Sequence, residues 1–109
     1  MSVVVKHHDL VVPAVSSSDQ PAGELIFFGD LPAVTLEPMK SGVRGGVAVG
    51  AVVEGPRQTG AVWTQGTVVY WDDVNKRFTT SSTGNKRVGV VVGGDVGSSD
   101  TRVLVLMDR

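Results

Sequence analysis

Apolar positions along the chain fall in short, valine-rich runs, each stopped within a few residues by Gly, Pro, Asn, Asp or Ser. Valine is stiff at χ1 and fits a pleated surface better than a helix, so runs of this length and punctuation predict strands. Period-two alternation is clear in "LPAVTLE", where Val34 and Leu36 share one face and Thr35 and Glu37 the other. "ELIFFG" precedes it. The glycine- and alanine-rich "GVAVGAVVEG" reads as one strand with a small-residue face, against which a backbone or a bulky side chain such as Trp63, Tyr70 or Trp71 can pack. "TVVYW" and "RFTTSS" form a hairpin through "DDVNK", and "KRVGVVVGG" and "TRVLVLM" complete about seven or eight strands.

The 14 glycines and five prolines exclude long helices, since each costs about 1 and about 3 kcal/mol respectively in a helix interior. The fold class is therefore all-β, a small single-domain barrel or sandwich. At the front, "SVVV" is separated from "LVVPAV" by Lys6, His7, His8 and Asp9, and "SSSDQPAG" follows as a loop. Residues 1–20 read as an extended, mobile N-terminal arm with a first strand, and residues 21–109 as a single β domain. No internal repeat or linker divides the chain.

Composition narrows the partners. The chain has 109 residues, one domain's worth, which buries roughly 65% of its unfolded surface. A formal net charge of −1 supplies no field for nucleic acid or an anionic membrane. No cysteine is present, which excludes disulfides, thiolate nucleophiles and cysteine-ligated metals. The N-terminus lacks a basic segment followed by an unbroken apolar stretch, and no apolar run reaches the roughly 18 residues of a spanning helix. A soluble protein, made and used without export, is expected.

Candidate chemistry is sparse. His7, His8 and Asp9 are metal-ligating types, but neighbours on a strand point to opposite faces, and the two that share a face fall short of the usual three or four ligands. Asp72 and Asp73 open a turn, where aspartate caps its own backbone and stays solvated. The serine-rich stretches lack a nucleophile elbow and a base, and neither glycine-rich segment leads into a helix that could aim N–H groups at a phosphate. Lys40, in "EPMKSG", follows a methionine in a turn, as the cofactor-bearing lysine of biotin carrier domains does. Here Pro38 precedes the methionine and Ser41 follows the lysine, so a solvated turn lysine is the favoured reading and a small carrier or accessory β domain the alternative. The aromatic residues read as core. No cofactor, metal or small-molecule substrate is expected.

The stretch "GAVWTQGTVVYWDDVNKRFTTSSTGNKRVGVVV" resembles the small capsid cement, or decoration, proteins of tailed bacteriophages and prophages, a family long without assigned function. The likeness rests on Ala61, Trp63, Gly66, Val69, Tyr70, Trp71 and Asp72, then on Thr79, Thr80, Thr83, Gly84, Asn85, Gly89 and Val90. It covers most of the chain from about Pro21 onward. Family members often open with a short polar strand, whereas this front is longer and more apolar.

The resemblance implies a β-tulip-like fold and a role without enzymatic chemistry. The protein would sit on the outer surface of the mature head, bridge shell subunits and stabilise them against DNA pressure. Its partner would be the major capsid protein of a tailed phage, its state a homo-trimer, and its place the virion surface after assembly in the host bacterial cytoplasm. In decoration proteins a mobile front commonly adds to a shell strand, so Val3, Val4, Val5, Lys6 and His7 are the expected capsid-binding residues.

Overall fold

A computed structural model describes residues 3–7 and 10–108 of the chain. Among these residues there are ten strands and no helix: β1 (Val4–His7), β2 (Val11–Val15), β3 (Leu25–Phe28), β4 (Leu31–Thr35), β5 (Arg44–Ala48), β6 (Val52–Pro56), β7 (Val68–Asp72), β8 (Arg77–Thr79), β9 (Lys86–Val91) and β10 (Arg102–Met107). They make two antiparallel sheets, one of six strands in the order β1-β6-β10-β9-β7-β8 and one of four in the order β2-β5-β4-β3. The larger sheet curls until Arg57 bridges Phe78, which brings the end of β6 to β8 and makes a half-barrel.

The main core lies between the sheets. Leu25, Val34 and Ala48 of the smaller sheet meet Val53, Val69, Trp71, Phe78, Val88, Val91, Val103 and Val105 of the larger. Alternation puts every second residue of β6, β7 and β10 into this core, with Val53, Gly55, Val69, Trp71, Val103, Val105 and Met107 buried between less buried neighbours. Trp71 and Phe78, opposite each other on β7 and β8, meet edge to face with ring centroids 5.0 Å apart. A second cluster covers the far face of the smaller sheet, where Ala33, Met39, Val47 and Val49 are buried. Gly45 makes room for Met39, since a Cβ there would stand 3.3 Å from the methionine Cε.

Two expectations about the chain need correction. "GVAVGAVVEG" is two strands, β5 and β6, in different sheets. The break falls at Gly50, whose φ of 60° lies in the left-handed region that glycine enters without a Cβ penalty. The small residues of β6 do admit a bulky ring, but it is that of Phe78: a Cβ on Gly55 would lie 2.8 Å from it. Tyr70 instead stands half-buried on the other face.

Of the leading segment, residues 4–7 and 11–15 are extended and lie within the two sheets. β1 pairs with β6 and β2 with β5, so the first twenty residues supply one edge strand to each sheet. Val3 is 4% exposed and packs in the main core, with its N–H donated to the Gly23 carbonyl at 2.9 Å.

Candidate interaction surface

The larger sheet turns its outer face to solvent, and the strand register fixes which residues stand there. Val52 pairs with Leu106, Leu106 with Val90 and Val90 with Val68, so four apolar side chains form a row across β6, β10, β9 and β7. Leu106 is 42% exposed and the other three are half-buried. Next to this row, Leu104 pairs with Glu54, and Glu54 with Val4 of β1, itself 42% exposed. Contiguous apolar residues on a solvent face, rimmed by charge, mark a contact surface.

Cross-strand ion pairs form the rim. Arg102 donates from Nε to Glu54 at 2.9 Å, Arg87 to Asp108 at 2.7 Å, and Arg77 lies 3.9 Å from Asp72. Each joins neighbouring elements of the sheet and leaves little net field, in line with the overall charge of −1.

β1 is the edge of this sheet. One side pairs with β6 and the other has no strand partner among the described residues. Of the residues expected to bind a capsid, Val3 and Val5 face inward, buried and half-buried against the core, while Val4 and Lys6 are exposed. His7 ends the strand. The side chains of His7, His8 and Asp9, metal-ligating by type but set aside on spacing, lie outside the described ones. Among the described residues no group of three His, Asp or Glu side chains is placed to hold a metal, and no helix is long and apolar enough to cross a membrane.

Lys40 is exposed beside Met39, in a turn that is laced to the loop after β2. Gln20 and Met39 exchange backbone bonds of 2.8 and 2.7 Å, Ser41 N–H donates to Asp19 at 2.8 Å, and Gly42 N–H to the Ser16 carbonyl at 2.9 Å. This differs from a carrier lysine at the free tip of a hairpin between matched strands. Asp72 behaves as the turn chemistry predicts, accepting from the Asn75 side chain at 2.7 Å and from the N–H groups of Val74 and Asn75. The Asn75 side-chain bond and the Asn75 amide hold its carboxyl below the ordinary range, burial opposes them, and the Val74 amide and the Arg77 charge add to the lowering.

Two anchoring residues were not legible in the sequence. Arg57, 4% exposed, donates to the carbonyls of Gln58, Gly97 and Ala61 at 2.8, 2.6 and 2.5 Å, and its guanidinium lies 4.2 Å from the centre of the Trp63 ring. It ties together the loops at one end of the half-barrel, where Trp63 bridges Val96. Thr35, 1% exposed, donates to Pro21 O at 2.6 Å and accepts from Glu24 N at 2.9 Å, which fixes the start of β3. Arg57 gives no local signal of burial, and alternation misplaces Thr35: it is buried where the polar face was expected, while Leu36 is 39% exposed, because the strand ends at Thr35.

The molecule is thus an all-β protein of two sheets that presents an apolar outer row and an open edge strand. The family model for phage cement proteins matches residues 5–107, and the chain belongs to that family. It is thus a phage structural protein, associated with the capsid of the virion. No curated protein and no solved structure matches the chain.

Proposed function

We propose that the protein is a head decoration subunit, which binds the outer surface of the mature head and stabilises it against the pressure of packaged DNA. Membership of the cement family carries this reading. The partner is the major capsid protein of a tailed phage. Copies act as homo-trimers, recruited to the virion surface after the head is assembled in the host bacterial cytoplasm. Many modest contacts suffice on a lattice, because avidity multiplies them.

The docking element is β1 with its flanks, Val3, Val4, Val5, Lys6 and His7. An open edge accepts a strand from a partner through main-chain bonds, with side chains on alternate faces setting register. Val3 and Val5 hold β1 to the core. Val4 and Lys6 face outward, and Val4 continues the outer face toward Leu104.

Removing residues 2–9 is a poor test, because it takes Val3 out of the core. The double variant Val4→Asp, Lys6→Glu changes only exposed side chains. Co-sedimentation with expanded heads is expected to fall at least about tenfold, a loss of ~1.4 kcal/mol, with the melting curve preserved. A folded double variant that binds heads as well as the parent would refute docking through β1. Heads that lose DNA at the same temperature with and without the bound protein would refute the stabilising role.

A further inference from the structure

The edge of the smaller sheet carries backbone groups that have no partner among the described residues, and they meet in one groove. The Thr35 N–H donates to Glu24 O at 3.0 Å, so those two residues are a bonded pair of the β3–β4 ladder. Antiparallel alternation then makes Ile26–Ala33 and Phe28–Leu31 bonded pairs, and turns the N–H and C=O of Leu25 and Phe27 away from β4. Among the described residues no strand lies on that side of β3. Leu25 is only 3% exposed, so water is a poor substitute partner for its backbone.

Beside this edge runs a groove of about 400 Å³, with Leu25, Ile26 and Phe27 on one wall and Trp71, Lys76 and Lys86 on the other. Trp71 is 4% exposed, and its indole N–H is buried without an acceptor. A buried donor left unpaired opposes folding, and a ligand carbonyl would relieve that cost. Charge is distributed along the groove. Glu24, which has no ion-pair partner among the described residues, lies at the start of β3. Lys86 lies beyond its end, donating to the Gly29 carbonyl at 2.6 Å, with its ammonium 4.0 Å from the fully exposed Asp30 carboxylate and 5.7 Å from the Phe27 ring. Lys76 is matched by Asp73 at 2.6 Å.

We infer that this groove is a second docking site, which takes an extended strand of the shell protein antiparallel to β3, with an acidic residue toward Lys86 and a basic residue about five positions later, beside Glu24. The source of the strand rests on the capsid reading above; the chemistry of the groove does not. Residues opposite Leu25 and Phe27 would form the new ladder bonds, and apolar side chains there would lie against Trp71.

The probe is a capped hexapeptide, Asp-Thr-Val-Thr-Val-Lys, titrated to millimolar concentration into the isotope-labelled protein. Saturable, concerted movement of the Trp71 indole and the Leu25 and Phe27 amide resonances is expected. The peptide of reversed charge, with Lys first and Asp last, is expected to bind about fivefold more weakly. Between two peptides that differ only in the last residue, Lys or Asp, the parent should prefer Lys and Glu24→Lys should prefer Asp. Resonances that stay in place at millimolar peptide, or a preference that Glu24→Lys leaves unchanged, overturn the groove assignment. Head binding by the parent protein is measured separately, so either reading can fail while the other holds.

Discussion

Arg57 carries its charge at 4% exposure, and its donors end on three backbone carbonyls. Burial lowers its pKa, and the Asp100 carboxylate partly counteracts this. The planar fork of the guanidinium joins its own loop, at Gln58 and Ala61, to the loop at Gly97 and still covers the Trp63 ring, which a lysine ammonium does not match. Arg57→Ala removes three hydrogen bonds and the cover over the Trp63 ring together, so a loss of about 2–3 kcal/mol in urea unfolding is expected. Arg57→Lys should recover less than half of it. A loss below about 1 kcal/mol in Arg57→Ala would mean that the loops hold together without this residue. Gly89 acts by its lack of a side chain: a Cβ there would stand 1.9 Å from the Leu106 carbonyl oxygen, inside the β9–β10 ladder. "RVGVVVGG" shows a glycine in a strand. Only the packed neighbour shows why it is there.

Among the elements, the β7–β8 hairpin was the most legible. "VVYWDDVNKRF" has apolar alternation on both sides of an Asp-rich turn, and the strands pair as Tyr70 with Thr79, Trp71 with Phe78 and Asp72 with Arg77. The turn also makes the hairpin acid-sensitive. The Asp72 pKa is held below its unfolded value, so the unfolded chain binds the proton more readily. Its contribution to stability is complete above the unfolded value of about 3.9 and disappears as the pH falls through the lower folded value. Thermal melts between neutral pH and about pH 3 should therefore show a smaller acid-induced drop for Asp72→Asn than for the parent. Equal drops would assign the acid sensitivity elsewhere. The least legible element was the β5–β6 run. Its alternation of valine with small residues continues through Gly50, because both halves are strands with a buried face; nothing local tells that the faces belong to different sheets.

On the scale of the whole molecule, the register assembles the row Val52, Leu106, Val90 and Val68 from four strands far apart in sequence. Leu106→Glu places a charge in the middle of that row at a side chain already 42% exposed. A stability change within about 0.5 kcal/mol is expected for such a surface site. If the row touches the shell, head binding should fall by about tenfold or more, because burying an unpaired carboxylate is costly. Unchanged co-sedimentation would remove this face from the interface. The first strand is the other feature that whole-molecule context redefined. Its apolar "SVVV", cut off by "KHHD", reads as a segment apart from the domain, yet Val3 fills the main core and β1 borders the larger sheet.

Read alone, the 109 residues settled the all-β class, most strand positions, the turn role of Asp72 and the likeness to cement proteins. These follow from short-range physics: valine stiffness, two-residue periodicity and the turn preferences of Gly, Asn and Asp act within a few positions of the chain. Tertiary structure alone decided that Gly50 passes the chain from one sheet to the other, that Phe78 fills the space at Gly55, and that Arg57 and Thr35 are buried anchors. It also decided which apolar residues remain on the surface. Those outcomes depend on pairings between strands distant in sequence, and a period of two says that a residue has a buried or an exposed face without saying what will lie against it.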